Sequence, residues 1–185
     1  MIIRQTRTWV EQFVIGLQLC PFAAVPAREN RIRYIVSTAT TPEDLIEDLY
    51  DELELLMSTP PEELETTLLI HPEALTDFDA YLDFLDAGED MVAEADLEGI
   101  IQLAGFHPDY VFADEAEDDP AHFSNRSPYP MIHLLREDSV SLAVDTHPDI
   151  DRVPERNVAY LRALGLEEVR SRRARAFVDR QSEHD

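Results

Sequence analysis

Two histidines, each followed by proline, and one proline-framed stretch that carries arginine hold most of the side chains in this sequence that could do chemistry. His71 closes the apolar run Thr66-Thr67-Leu68-Leu69-Ile70, and His107 closes the run from Gly99 to Phe106. Both runs read as strands. In an open α/β sheet, ligands bind beyond the carboxyl ends of the strands, so parallel strands would bring both imidazoles to one edge. Histidine suits general acid or base work near neutral pH. His107, with Asp109 two residues on to orient it, is the first candidate; His133 or His71 would be the second proton-transfer group.

The stretch Asn125-Arg126-Ser127-Pro128-Tyr129-Pro130-Met131-Ile132-His133-Leu134-Leu135-Arg136-Glu137 reads as a helix start. Pro128 or Pro130 can open a helix, with Ser127 or Tyr129 near its cap. Helix N-termini bind anions through free N–H groups, and Arg126 beside one could grip phosphate or carboxylate with its planar fork. On that helix His133 and Arg136, three apart, would share a face. Asn125, Arg126, Ser127, Tyr129 and Arg136 are therefore the expected substrate contacts, and a small anionic molecule the expected ligand. The competing reading has Asn125 and Ser127 as caps and the arginines paired with nearby carboxylates.

Cys20 falls at the C-terminal end of a predicted helix, where the dipole disfavours a thiolate. It reads as a structural thiol unless folding brings Arg126 or a histidine against it. A zinc or iron site could draw on His71, His107, His133 and Cys20, but no compact ligand motif joins them. No metal is the leading expectation, and the cofactor is left unknown. There is no phosphate loop, dinucleotide fingerprint or GxSxG elbow.

The elements that must position these residues follow from periodicity. Residues 4–19 carry a helical stripe at Trp9, Val10, Phe13, Val14 and Leu17. Ile32–Val36 is a strand candidate. Thr41-Pro42-Glu43-Asp44 caps a helix running to about Met57, with Leu45, Leu49, Leu53 and Leu56 inward, and Pro60-Pro61 stops it. After the second strand a helix spans about Leu75 to Ala95, with Gly88 as a candidate break. The third strand leads into a loop from Asp109 to Ser127, acidic at 114–119, with a brief strand candidate at Tyr110–Phe112. Beyond Pro128 the chain reads as helical to its end, punctuated by Pro148, Pro154 and Gly165.

The expected fold is α/β: a small three- to four-stranded, mainly parallel sheet with flanking helices and a helical C-terminal third. It is read as a single domain over 1–185, with a helix plus βαβαβ core at 1–112, the acidic loop at 113–127 and a helical segment at 128–185.

Composition bounds the function. The 185 residues are 44% hydrophobic and contain one cysteine, enough for one core and too few thiols for an intrachain disulfide. The N-terminus lacks a signal pattern and no apolar run reaches the ~20 residues of a membrane span, so a cytoplasmic protein is expected. Thirty-nine acidic residues face 15 basic ones, all arginine, for a net charge of −24. Their spread over the first 151 positions favours a salt-adapted surface over a patch for a cationic partner. This charge argues against nucleic acid and anionic membranes as partners. The arginine-rich last 34 residues read as a terminal helix paired with acidic neighbours rather than a nucleic-acid arm. Nothing indicates the oligomeric state.

The strings LQLCPFA (17–23), TTLLIHP (66–72), FHPDYVF (106–112) and NRSPYPMIHLLRE (125–137), in this order and spacing, resemble an uncharacterised bacterial family, domain of unknown function 1415. The resemblance covers nearly the whole chain and implies no reaction. It does imply that Cys20, His71, His107, Asp109, Asn125, Arg126, Ser127, Tyr129, His133 and Arg136 are motif positions. The expected function is a small enzyme using histidine acid/base chemistry on an anionic metabolite. A His/Cys metal enzyme and a non-enzymatic adaptor are the alternatives.

Overall fold

The computed structural model describes residues 1–146 and 152–177. The His-Pro-Asp triplet at 147–149 and the last eight residues lie outside them.

Four strands form one sheet in the order β1-β2-β4-β3: β1 (Ile32–Val36), β2 (Thr66–Ile70), β3 (Ile101–Phe106) and β4 (Met131–Arg136). β1 and β2 pair in parallel, whereas β4 pairs antiparallel with both β2 and β3. The sheet is mixed, which corrects the expectation of a mainly parallel one. The cause is β4, read from sequence as part of a helix. A six-residue apolar run does not distinguish strand from buried helix by periodicity. Pro128 and Pro130 hold the approach extended, and two flanking strands take up the backbone groups of Met131–Arg136. Residues 131–136 therefore belong to the sheet, and the helical C-terminal part of the chain begins only at Glu137. Tyr110–Phe112, the other strand candidate, is not in the sheet.

Helices cover both faces. On one lie α3 (Pro42–Ser58) and α4 (Phe78–Glu94). α3 starts as its sequence dictates: the Thr41 side chain accepts a hydrogen bond from Asp44 N–H (3.2 Å), and Pro42 occupies the first turn. Leu45, Leu49, Leu53 and Leu56 form the buried stripe, packed with Leu69, Leu103, Ile132 and Leu134. α4 begins at the Asp77 cap and passes Gly88 unbroken. Its close approach to the sheet needs Gly105, where a Cβ would stand 2.7 Å from Tyr81 Oη and 2.8 Å from Leu85.

On the opposite face lie α1 (Ile2–Trp9), which continues as a π-helical segment over Val10–Ile15, α2 (Ala24–Arg28), α5 (Glu137–Thr146), α6 (Val153–Leu164) and α7 (Leu166–Arg175). Trp9, Val10, Phe13, Leu161 and Val169 bury against Leu68, Ile70 and Met131. The predicted helix over 4–19 is thus shorter, and its second half is wound as a π-helix, a form frequent at functional sites. No helix among the described residues is long and apolar enough to cross a membrane.

Candidate functional site: an apolar cavity around His133

Because β2 and β3 are both antiparallel to β4, they run the same way, and His71 and His107 emerge at one edge. Their rings lie 5.9 and 5.1 Å from Tyr81. Both are buried. His107 Nδ1 accepts the Asp109 backbone N–H (3.1 Å) and Nε2 donates to the Leu75 carbonyl (3.3 Å). Asp109 therefore holds the ring through its amide, not its carboxylate. Leu75 is a non-glycine residue at φ 52°, a conformation that needs support from its surroundings, and His107 supplies some of it. Burial lowers the pKa of His107, opposed by the Leu75 carbonyl and by Asp109 and Asp77. His71 Nδ1 donates to Ala74 O (3.0 Å), and burial pushes its pKa down to about 4. Its Nε2 is buried without a hydrogen-bond partner among the described residues.

His122 was not singled out from sequence, where a lone histidine in an acidic loop gives no signal. It is fully buried, accepts Phe112 N–H at Nδ1 (3.1 Å) and donates from Nε2 to Ala116 O (2.7 Å). His107 and His122 thus use both ring nitrogens to hold loop backbone, which leaves neither a lone pair for proton transfer.

The segment 125–130 does not open a helix, and the expected N–H anion cradle is absent there. Instead Asn125 Nδ2 donates to Gly105 O (3.1 Å) and Asn125 O accepts His107 N–H (3.1 Å). The buried Ser127 hydroxyl donates to Tyr129 O (2.6 Å), and the Tyr129 hydroxyl to Gln5 Oε1 (2.5 Å). Arg126 donates to Tyr110 O (2.9 Å) and lies over the Phe123 ring (5.1 Å).

His133 and Arg136 do not share a face, because on a strand residues three apart point opposite ways. Arg136 donates to the carbonyls of Leu56 (2.5 Å), Thr59 (2.6 Å) and Leu64 (3.2 Å), closing the C-terminal end of α3. Arg126 precedes β4 and Arg136 ends it. At about 3.3 Å per residue the strand alone separates them by roughly 17 Å, too far to grip one small anion.

His133 faces the other way, into a cavity of about 630 Å³ between the sheet and the N-terminal helices. Trp9, Val10, Val14, Phe22, Leu68 and Phe106 are among its apolar walls, and Cys20 and Thr66 join His133 on them. The site lies on the sheet face carrying α1, reaching the amino-terminal ends of β1 and β2 at Ile32 and Thr66. The His71 and His107 rings pack against Tyr81 of α4 on the other face of the sheet, and neither lines the cavity.

Thr66 fixes the chemistry of His133. The Thr66 hydroxyl donates its only proton to Leu134 O (2.5 Å). Toward His133 Nε2, 2.7 Å away, it can only accept. Nε2 therefore carries the ring proton, and Nδ1 presents its lone pair without a protein partner among the described residues. Burial drives the pKa of His133 down to about 4, so the ring is neutral near pH 7. Burial raises the Cys20 pKa, opposed by the Phe22 and Ala23 amides, so its thiol is held protonated. The two arginines at the margin are engaged, Arg136 as above and Arg31 by Glu29 (2.8 Å) and Glu65.

Of the residues singled out from sequence, the fold brings His133, Cys20 and, at the margin, Arg136 to the cavity, and leaves His71, His107, Asp109, Asn125, Arg126, Ser127 and Tyr129 off its walls. The four candidate metal ligands are split accordingly. Among the described residues no group of three or more His, Cys, Asp or Glu side chains is arranged to hold a metal ion.

Searches of curated proteins and of solved structures gave no match. Residues 1–171 match the model of a family described as a protein of unknown function, DUF1415. That match spans the cavity walls, the His133–Thr66 pair and the 125–137 segment, and the chain belongs to the DUF1415 family.

Proposed function

We propose that this chain is a small enzyme that takes a mainly apolar metabolite into the cavity, where His133 Nδ1 receives and returns a proton. The observation that carries this is the Leu134–Thr66–His133 chain of hydrogen bonds, which leaves one unprotonated ring nitrogen in a mainly apolar chamber. Such a cavity, with a few convergent polar groups, is the usual form of a small-molecule site. A conjugate acid with a pKa of about 4 gives its proton back readily. His133 thus suits a step in which the imidazolium exists only in passing. Both His133 and Cys20 are shifted toward their uncharged forms, which favours a substrate uncharged at its buried end. The arginines at the cavity margin, Arg31 and Arg136, are already engaged by carboxylates and carbonyls, so among the described residues the cavity offers no uncommitted cation for an anionic group.

The neutral fluorophore N-phenyl-1-naphthylamine tests occupancy. It should bind at one site and perturb the His133 ring ¹⁵N signals, and compounds that displace it become candidate substrates. A displacer turned over by the native chain should be bound by His133→Gln within a few-fold and no longer converted. Conversion at an undiminished rate by that variant, or binding that leaves the His133 signals unmoved, would reject the assignment. Binding without turnover of any displacer would favour a carrier or adaptor role for the same cavity.

A further inference from the structure

The C-terminal helix brings a second arginine to Arg126. Arg173, in the last turn of α7, donates from Nε to Arg126 O (3.2 Å) and from Nη2 to Ser127 O. Its guanidinium lies 5.9 Å from the centroid of Phe123, the ring that Arg126 covers at 5.1 Å, and 5.1 Å from that of Phe177. Both arginines are half-buried, and Phe123 is fully buried.

Two like charges have been set against one aromatic ring in a chain with 39 carboxylates and 15 cations. Carboxylates are easily recruited elsewhere: Arg28, Arg31, Arg33, Arg162, Arg170, Arg172 and Arg175 all make ion pairs. Neither Arg126 nor Arg173 makes one among the described residues. Asp109, exposed, is close enough to act on both electrostatically without touching either. Arg170 adds positive potential at Arg126. Burial and the neighbouring Arg126 push the pKa of Arg173 down to about 10, only partly opposed by Asp109; at neutral pH it stays charged, and no carboxylate among the described residues bonds either guanidinium. Each guanidinium has donors beyond those bonded to carbonyls.

We infer that Arg126 and Arg173 form a binding site for a small dianionic oxyanion, inorganic phosphate or a phosphate monoester head group. An anion bridging the two forks would relieve the repulsion and satisfy the remaining N–H donors. The surrounding negative field disfavours a polyanion such as nucleic acid, so the ligand is small. The site follows Asn125, which meets the His107 end of β3, and none of Phe123, Arg126, Arg173 and Phe177 lines the His133 cavity. It retains Arg126 from the sequence-based anion site, replaces Arg136 with Arg173, and needs no helix N-terminus.

Inorganic phosphate, titrated into the full chain at constant ionic strength against chloride, is the test. The side-chain Nε signals of Arg126 and Arg173 should move and saturate with phosphate and not with chloride. Arg173→Gln should weaken binding by about tenfold or more, Arg173→Lys by less, and His133→Gln not at all. Because Arg173 also anchors α7, the wild-type titration stands by itself. No saturable movement, equal movement with chloride, or equal affinity in a folded Arg173→Gln protein would overturn the site. Phosphate and a phosphate monoester are compared directly: tighter binding of the ester would extend the site beyond the head group, and equal binding would confine it to the oxyanion.

Discussion

Thr66 Oγ1 lies 2.7 Å from His133 Nε2 and 2.5 Å from the carbonyl oxygen of Leu134, so one hydroxyl on β2 dictates which nitrogen of a β4 histidine bears the proton. The two residues are 67 positions apart in sequence and meet because β2 and β4 are adjacent antiparallel strands.

Thr66→Val removes the hydroxyl while keeping the branched shape. His133 Nε2–H then loses its acceptor at the cavity wall. The expected cost is about 1–3 kcal/mol of folding stability, measured by chemical denaturation. The ring ¹⁵N signals should change from a single Nε2–H tautomer to a mixture. An unchanged tautomer would mean that Thr66 does not set it.

Acid should expose the buried histidines. The His71 pKa is about 4 in the folded chain against an ordinary 6.5. Between those values the unfolded chain binds a proton that the folded chain refuses, so stability rises with pH across this window and falls as pH drops from 6.5 toward 4. For a fully buried ring the contribution is roughly 3 kcal/mol. His133, also at about 4, acts in the same direction, reduced by its partial exposure to the cavity. His71→Gln should flatten the acid limb of the stability curve relative to the native chain. A difference between the two proteins that does not vary with pH would contradict the assignment.

The parts of the fold legible in sequence are those decided locally. The Thr41-Pro42 cap, the leucine stripe of α3 and the short branched strands follow from rules spanning a few residues. β4 was not legible, because Met131–Arg136 is too short for its period to decide between helix and strand; its neighbours β2 and β3 decide it. That misreading moved His133 and Arg136 onto one face and hid the cavity, whose walls come from segments as distant as Trp9 and Val140. The equivalent strand ends of His71 and His107 were legible, but the turns that engage their nitrogens were not. Cys20 was read as structural unless a histidine came near, and the fold puts His133 on the same cavity wall.

Cys20 offers a way to ask whether that shared wall is also a chemical pairing. Burial raises its pKa, and His133 is not among the groups acting on it. The thiol should therefore react with iodoacetamide more slowly in the native chain than in denaturant at the same pH, since only the thiolate attacks. Its rate should climb with pH toward and beyond the ordinary thiol range. His133→Gln should leave that pH profile in place, because a neutral imidazole lends the thiolate no charge. N-phenyl-1-naphthylamine should slow the reaction in both proteins by filling the space through which the reagent enters. A profile that moves to higher pH on loss of His133 would instead make the two a coupled thiol–imidazole pair, and the proton that His133 handles would be that of Cys20 rather than that of a substrate.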